Sequence, residues 1–247
     1  MKTPSPGTLL WIWEQATGLH PVRRALALLD FAWPDVDSGD WAAAPIGGRD
    51  GSLLRLYEAL FGSELETVTT CPNCGERLES SFSTADVYAG SVSLSVNGAT
   101  MLLETHGCEI EYRLTTSEDL LEILEAPDRS SDAPLQLLRR CVIRARSNGI
   151  ARAPEDLPPE VLSRLEAEMA ERDPGADIRI GLDCPACSHS WSVAFDIVSY
   201  FLGELDDWAE RTLAEVHTLA QAYGWSERDI LDLSPVRRQS YIEIVRS

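Results

Sequence analysis

The chain has 247 residues, of which 40 are acidic and 21 are basic, and its formal net charge is −19. This acidic excess disfavours binding to nucleic acid or to anionic lipid, because both depend largely on basic side chains that meet phosphate groups. No apolar run approaches the roughly 18 residues of a membrane span, and residues 1–18 lack the apolar core and cleavage site of a signal peptide. We therefore expect a cytoplasmic protein whose cysteines stay reduced.

Residues 1–65 are predicted to form an N-terminal helical region. The stretch 7–33, rich in leucine and tryptophan, favours helix that is interrupted at Pro21. A polar loop over residues 34–51 then leads to a second helix over residues 52–62, SLLRLYEALFG, whose apolar side chains recur at helical spacing.

The chain contains two similar cysteine motifs, VTTCPNCGERLESSF at residues 68–82 and GLDCPACSHSWSVAF at residues 181–195. Behind the second cysteine, Leu78, Ser80 and Phe82 of the first motif match Trp191, Val193 and Phe195 of the second at alternate positions. A period of two after a tight turn is the pattern of a strand. Each copy therefore predicts a strand, a Cys-Pro-x-Cys turn and a second strand. Residues 66–85 and 177–196 together are expected to form one discontinuous β unit similar to a zinc ribbon.

Four cysteines, Cys71, Cys74, Cys184 and Cys187, provide the ligand set of a closed tetrahedral site, so we predict one structural Zn²⁺ per chain. A catalytic zinc is disfavoured because four thiolates leave no open coordination position. The 109 residues between the motifs exceed the roughly 15–20 of a compact ribbon, although the entropy of loop closure grows only slowly with length. Two local disulfides or a redox-active pair are the alternatives. His189 is a competing ligand, for which a polar role in the turn is favoured.

Residues 86–176 are predicted to form a β-plus-helix insertion between the two motifs. Its first part, residues 92–114, favours strands, with Asn97-Gly98 as a hairpin turn and CEIEYRL as the last strand.

Three helices are predicted to complete this insertion, over residues 117–125, 133–146 and 158–173. Ser117 is expected to cap the first of them, because a serine hydroxyl accepts a hydrogen bond from the first helical turn. Three residues outside the motifs are expected to be structural: His106 as a turn residue, and Cys108 and Cys141 as buried thiols.

Residues 197–247 are predicted to form a C-terminal helical region. Apolar residues at three- and four-residue steps predict one helix of about 27 residues, from Ile197 to Tyr223, that ends at Gly224. A capping-box pattern and a serine-proline pair then predict two shorter helices. The whole chain is therefore predicted to be α+β, with helical segments on either side of the zinc-ribbon-like unit and its insertion.

Large aromatic residues dominate many binding interfaces, because they bury much area with few rotatable bonds. Trp208, Tyr223 and Trp225 lie in the C-terminal region and are candidate partner-binding residues. The partner would be another protein or a second copy of this chain.

No glycine-rich phosphate loop, His-Glu-x-x-His motif or nucleophile elbow occurs in the sequence, so we do not expect an enzyme.

Three hypotheses about the function remain. The first is a protein-binding assembly factor. The second is a zinc-ribbon nucleic-acid-binding or transcription module, which would need a basic face. The third is a thiol oxidoreductase, which would need an exposed cysteine of low pKa beside a helix N-terminus.

Several segments resemble the baseplate hub assembly chaperone family of contractile-tailed phages and phage-tail-like contractile injection systems. In chain order they are PIGGRDGSLLRLYEALFG, CPNCGERLE, YRLTTSEDL, CPACSHSW and FDIVSYFLGELDDWAERTLAEVHTLAQAYGWSERDILDLSPVRRQSYIEI. The resemblance covers about residues 45–120 and 180–247.

The resemblance implies a non-enzymatic assembly factor or a component of the baseplate. Such a protein would bind hub, spike or other baseplate subunits, either leaving after assembly or staying in the tail-like particle. The four motif cysteines match the family at the metal site. In the terminal helices the matching residues are Tyr223, Gly224, Trp225 and Pro235.

Overall fold

The structure is a computed structural model that describes residues 1–36, 38–88, 99–125 and 132–246. The helices are α1 (Pro6–Ala16), α2 (Pro21–Ala32), α3 (Ser38–Ala43), α4 (Ile46–Phe61), α5 (Thr84–Tyr88), α6 (Ser117–Glu125), α7 (Ala133–Cys141), α8 (Pro159–Arg172), α9 (Ile197–Tyr223), α10 (Glu227–Leu231) and α11 (Pro235–Arg246). The strands are β1 (Glu64–Thr70), β2 (Arg77–Ser83), β3 (Met101–Thr105), β4 (Cys108–Tyr112), β5 (Val142–Ser147), β6 (Ile150–Arg152), β7 (Arg179–Asp183) and β8 (Ser190–Ala194). Helices and small antiparallel sheets follow one another along the chain, so the predicted α+β class is confirmed.

The chain divides into two compact units, which we call the terminal unit and the central unit. The terminal unit comprises residues 1–34 and 198–247, and the central unit comprises residues 35–197. The N-terminal region predicted over residues 1–65 is thus shared, with α1 and α2 in the terminal unit and α3 and α4 in the central unit. In the part of the chain that the structure describes, every helix is too short or too polar to cross a membrane.

The terminal unit is built on α9, which has the predicted limits and is followed by Gly224 in the left-handed conformation. The predicted capping box of α10 is confirmed, because the Ser226 hydroxyl accepts from the Asp229 N–H and the Asp229 carboxylate accepts from the Ser226 N–H. The helices α1, α9, α10 and α11 share one apolar core, formed by Leu10, Ala209, Val216, Leu219, Ile230, Leu231 and Ile242. The two short C-terminal helices therefore belong to the core of this unit.

Two charged contacts fix the helices of the terminal unit. The Asp206 carboxylate on α9 accepts a hydrogen bond from Trp13 Nε1 at 2.7 Å and pairs with the Arg24 guanidinium, so one side chain joins α1, α2 and α9. On α11, the buried Arg238 donates to the Glu215 carboxylate of α9 at 2.8 Å. A buried guanidinium without a partner destabilises the folded protein. Each ion pair therefore favours the arrangement of helices in which the pair can form.

The central unit contains a four-stranded antiparallel sheet in the order β3-β4-β5-β6. One face of this sheet is buried against α8, where Val161 and Leu165 pack with Ile110, Tyr112 and neighbouring apolar residues. The strand CEIEYRL is thereby confirmed as β4. The predicted Asn97-Gly98 turn lies outside the described residues.

The helix predicted over residues 133–146 is wrong in its last third. It ends at Cys141, and Val142–Ser147 forms β5, which pairs with β4 and, through a tight turn, with β6. Asn148 and Gly149 form this turn with φ values of 50° and 79°. The Asn-Gly pair that favours such a hairpin was present in the sequence, but the apolar spacing of the preceding residues also fitted a helix.

The polar loop predicted over residues 34–51 is also partly wrong, because it contains α3 and the first turns of α4. Trp41 in α3 is buried, so this segment contributes to the core. The start of α4 is held by partners that lie far away in the sequence. The Gly47 N–H donates to the Asp173 carboxylate at 3.0 Å, and the Ile46 N–H donates to the Thr115 carbonyl at 3.0 Å.

The start of α6 differs from the prediction as well. The cap is Thr116, whose hydroxyl accepts from the Asp119 N–H at 3.4 Å, while the Asp119 carboxylate accepts from the Thr116 N–H at 3.0 Å. Ser117, predicted as the cap, is the first helical residue, and its hydroxyl accepts from the buried Arg49 at 3.0 Å. The threonine one position earlier thus accepts the hydrogen bond from the first turn of the helix. The serine hydroxyl is therefore available to bind Arg49 in the core.

Asp119 connects the end of β4 to α6. Its buried carboxylate accepts two hydrogen bonds from the Arg113 guanidinium, at 2.6 and 2.7 Å. Burial alone would raise the pKa of Asp119, but the hydrogen bonds from Arg113 and Thr116 outweigh it and hold the pKa below its usual value. The stability that this carboxylate contributes is therefore present at neutral pH and is lost only as the pH falls below about 3.9.

Substituting Gly47 tests the contact that holds α4. A Cβ atom at this position would lie 1.9 Å from Asp173 Oδ1 and 3.0 Å from the Gly175 carbonyl carbon, so Gly47→Ala must displace the carboxylate. We expect the free energy of unfolding, measured by urea titration, to fall by about 1.5–3 kcal/mol, which is the usual contribution of a hydrogen bond to a charged group.

Gly51→Ala is the matched control on the same helix, because a Cβ atom there meets nothing within 4 Å. It should stabilise the protein by about 0.5–1 kcal/mol through higher helix propensity. Equal effects of the two substitutions would contradict the contact between Gly47 and Asp173.

Candidate metal centre

The two cysteine motifs fold as the sequence predicted, each as a hairpin. In the first, β1 and β2 pair up to Thr70 and Arg77, and in the second, β7 and β8 pair up to Asp183 and Ser190. The Cys-Pro-x-Cys segment lies in the turn of each hairpin. Both cysteines of a motif therefore stand at the end of a two-stranded sheet, free of any helix.

The first turn is a tight knuckle held by its own backbone. The Cys71 N–H donates to the Glu76 carbonyl at 2.8 Å, and the Gly75 N–H donates back to the Cys71 carbonyl at 3.0 Å. Gly75 has a φ of 78°, a conformation that glycine adopts without steric cost.

The second turn repeats these bonds at the equivalent positions. The Cys184 N–H donates to the His189 carbonyl at 2.9 Å, and the Ser188 N–H donates to the Cys184 carbonyl at 2.8 Å. Ser188 occupies the place of the glycine with a φ of 57°, which is strained for a residue with a side chain. The two turns are thus copies of one structure despite their different sequences.

The hairpins bring the four predicted ligands together. Cys71 Sγ lies 3.7 Å from Cys187 Sγ, and Cys74 Sγ lies 3.6 Å from Cys184 Sγ. All four sulfur atoms lie within 4.8 Å of one another. Both of these pairs cross from one hairpin to the other, so the cluster is shared.

These distances fit a metal ion bound by four thiolates. Metal–sulfur bonds of about 2.3 Å at tetrahedral angles separate the sulfur atoms by about 3.8 Å. A disulfide would instead hold two sulfur atoms at about 2.05 Å, whereas all six cysteines of the chain are free thiols here. The arrangement therefore matches a structural metal site more closely than two disulfides within the turns.

The cluster is buried on one side and open on the other. Cys71 and Cys184, the first cysteines of the two turns, are buried, whereas Cys187 is half-buried and Cys74 is exposed. Leu78 and Trp191 pack under the sulfur atoms as a small apolar core. Further from the turns, Phe82 and Phe195 meet edge to face with their centroids 5.3 Å apart, which ties the far ends of the hairpins together.

Hydrogen bonds favour a thiolate at Cys187. The Asn73 amide donates to its sulfur at 3.4 Å, and this bond, together with one from the His189 backbone N–H, lowers the pKa of the Cys187 thiol to about 6. The backbone N–H of Glu76 favours a thiolate at Cys74 in the same way, but hydrogen bonds with the sulfur atoms of Cys187, Cys184 and Cys71 outweigh it and raise the pKa of the Cys74 thiol to about 12. In the absence of a cation, four adjacent thiols cannot all ionise, whereas a metal ion stabilises all four thiolates at once.

Histidine and the other cysteines take no part in the cluster. The His189 ring stacks on Trp191 with centroids 5.9 Å apart, and the sulfur atoms alone form the candidate metal site. His106 lies in the turn between β3 and β4, where its Nδ1 atom is 2.8 Å from the Thr105 hydroxyl. Cys108 and Cys141 are buried in the central unit, as predicted.

The predicted partner-binding residues lie in the terminal unit. Trp208 and Trp225 are half-buried against its core, and Tyr223 is 38% exposed. The Tyr223 and Trp225 rings stack with their centroids 4.7 Å apart, and Tyr241 meets Trp225 edge to face at 5.0 Å. We call Tyr223, Trp225 and Tyr241 the aromatic cluster.

Sequence reasoning missed two members of these sites. Tyr241 is the one tyrosine of the last helix, and its proximity to Trp225 depends on α11 folding back onto α9. Asn73 is the variable residue of the first Cys-Pro-x-Cys turn. Its role could have been inferred, because an amide in a cysteine turn is close enough to donate to a thiolate.

Comparison of the chain with protein-family models, with curated proteins and with solved structures found no match.

Replacing Cys74 tests the metal site with little change in packing, because its side chain is exposed. We expect Cys74→Ser to reduce the bound metal from one ion per chain to nearly none, and to lower the unfolding midpoint, because metal binding supplies folding energy. Elemental mass spectrometry and thermal unfolding measure the two effects. Cys108→Ala is the control, since Cys108 lies outside the cluster, and it should keep one metal ion per chain. A Cys74→Ser variant with full metal content would rule out the four-cysteine site.

Proposed function

We propose that the protein is a non-enzymatic assembly factor or component of a contractile, phage-tail-like baseplate. It acts in the cytoplasm by binding hub, spike or other baseplate subunits through the terminal unit, and a structural zinc ion stabilises the central unit. The observation that carries the proposal is the partly exposed aromatic cluster, in a protein whose four-cysteine site has no open position for catalysis.

Zinc is the proposed metal because of the ligand chemistry. Tetrahedral sites of four thiolates suit zinc or iron. Zinc has no geometric preference of its own, so it accepts the arrangement that the two hairpins dictate. A bound zinc ion would cross-link the two hairpins. Its ligands would be Cys71, Cys74, Cys184 and Cys187.

The aromatic cluster has the composition of a binding hot spot. Tyrosine and tryptophan provide large, rigid contact areas that retain a polar group for hydrogen bonding. On α11, which contributes Tyr241, the side chains of Val236 and Ile244 are 77% and 62% exposed. An apolar contact area on the C-terminal helices is therefore available to a protein partner.

The choice of partner rests on the resemblance of the cysteine motifs and the C-terminal helices to the baseplate hub assembly chaperone family. The aromatic cluster includes Tyr223 and Trp225, two of the residues that match the family's motif in the segment AYGWSERDILDLSP. This coincidence supports a partner among baseplate subunits.

The charges on the two hairpins favour a protein partner over nucleic acid. Across residues 64–83 and 179–194 the acidic side chains are Glu64, Glu66, Glu76, Glu79 and Asp183, and the arginines are Arg77 and Arg179. A zinc ribbon that binds nucleic acid needs the opposite excess, because phosphate contacts supply most of the affinity.

A thiol oxidoreductase is disfavoured by the position of the cysteines. Redox-active cysteines of this spacing depend on a helix N-terminus to stabilise the thiolate, whereas each pair here lies between two strands. The low pKa of Cys187 arises instead from Asn73 and a backbone N–H of the second turn, and both donors serve a metal-bound thiolate equally well.

The partner proposal is tested by co-expressing the full chain with the hub, spike and other baseplate subunits of a contractile, phage-tail-like system, followed by affinity purification. We expect Tyr223→Ala to weaken the complex by at least about tenfold, because truncating a hot-spot ring removes contact area that no other residue replaces. Trp11→Ala is the matched control, since Trp11 is a 56% exposed aromatic residue of the same unit outside the aromatic cluster. Equal binding by the two variants, or no complex with any of these subunits, would contradict the proposal.

The nucleic-acid alternative makes the opposite prediction. At a net charge of −19 we expect no shift of duplex DNA by the protein at physiological salt in a gel assay. The metal-loaded protein is used, so that the hairpins are intact. Binding that weakens steeply with added salt would favour the zinc-ribbon nucleic-acid module instead.

A further inference from the structure

A groove of about 550 Å³ lies in the central unit, between α7 and the C-terminal half of α8. Leu137 and Leu138 of α7 form one wall, and Met169 and Ala170 of α8 form the other. The groove shares no lining residue with the four-cysteine site or with the aromatic cluster. It is therefore a separate feature of the molecule.

The helix α7 is incompletely covered by the described residues of the central unit. Its leucines are all half-exposed, and Cys141, its last residue, is the one that is fully buried. Leu137 and Leu138 form a continuous apolar face with Pro134, because residues three and four positions apart are neighbours on a helix. This face looks into the groove, where it provides apolar area for a ligand.

The polar lining of the groove is acidic. Glu166, Asp173 and Asp177 contribute carboxylates, and none of the described lining residues is basic. Asp177 pairs with Arg179 at 3.1 Å, and Asp173 accepts the Gly47 N–H, while Glu166 is exposed. Burial raises the pKa of Asp173 more than the Gly47 N–H and the nearby Arg49 guanidinium lower it, so a further cation beside this carboxylate would favour its charged form.

An apolar groove with an acidic rim selects a ligand that has an apolar body and a positive end. A leucine, methionine or phenylalanine side chain fits the apolar walls, and an adjacent lysine or arginine meets the carboxylates. A protein segment can present both groups side by side. We propose that this groove docks a segment of a partner protein in which a large apolar side chain adjoins a lysine or arginine.

This second docking site goes beyond the proposed function and does not rest on it. The groove belongs to the central unit, whereas the aromatic cluster belongs to the terminal unit. The two tests use different probes and different substitutions, so either proposal can fail while the other stands.

The test uses the full, metal-loaded chain with its methionine methyl groups labelled with carbon-13. The chain has three methionines, Met1, Met101 and Met169, and Met169→Leu identifies the signal from the groove. The probe is the peptide acetyl-Lys-Leu-Phe-Arg-amide, and its charge-reversed control is acetyl-Glu-Leu-Phe-Glu-amide. We expect the basic peptide to shift the Met169 signal saturably while Met101, which packs in the sheet core, stays in place.

Matched variants on α8 locate the binding. Ala170→Phe fills the groove and should abolish the Met169 response, whereas Ala167→Phe, at an exposed position that does not line the groove, should preserve it. Glu166→Lys should weaken binding about fivefold or more, and Glu171→Lys should change it little, because Glu171 does not line the groove. An unchanged Met101 signal shows that each variant is folded.

Three results would overturn the proposal. They are an unmoved Met169 signal at millimolar basic peptide, an equal response to the acidic peptide, and wild-type binding by Ala170→Phe.

Discussion

The central unit depends on one constraint, the meeting of four cysteine sulfur atoms that belong to two turns 109 residues apart. Each hairpin alone is a two-stranded sheet, which is marginal in water. A cross-link that closes a loop of about 100 residues removes roughly 4–5 kcal/mol of unfolded-chain entropy by the estimate used for disulfides, and ion binding adds its own free energy to folding. The long insertion costs little more than a short one would, because closure entropy depends on the logarithm of length.

Two carboxylates fix the starts of helices within the same unit, one across a long sequence distance and one locally. Asp173, at the end of α8, holds the first turn of α4 through the Gly47 N–H. Asp119 joins the end of β4 to α6 through Arg113 and Thr116. In both, a carboxylate satisfies backbone groups at a helix start, which is where a negative charge is most favourable. Some of the acidic residues thus also stabilise the fold, since Asp119 caps its own helix and Asp173 fixes the start of α4 through Gly47, 126 residues earlier in the chain.

The sequence was sufficient where local pattern decides structure. The limits of α9 follow from its apolar spacing and from Gly224, and the hairpins follow from alternation around each cysteine turn. It was insufficient where a distant partner decides. Val142–Ser147 has apolar spacing that suits helix or strand, and pairing with β4 selects the strand. The early start of α4 depends on Asp173, and the position of Tyr241 beside Trp225 depends on how α11 packs. The four-cysteine cluster could be predicted because thiolate chemistry restricts what two such motifs can do.

If both hairpins of a single chain hold one metal ion, the ion must have four sulfur ligands in the monomer. X-ray absorption at the metal edge, recorded on the monomer fraction after size-exclusion chromatography, measures this coordination. We expect a zinc edge and a single shell of four sulfur atoms at about 2.3 Å. A shell with fewer sulfur atoms completed by nitrogen or oxygen would contradict this expectation, and so would a monomer that carries no metal. An iron edge with four sulfur atoms would preserve the shared site but replace the assigned ion.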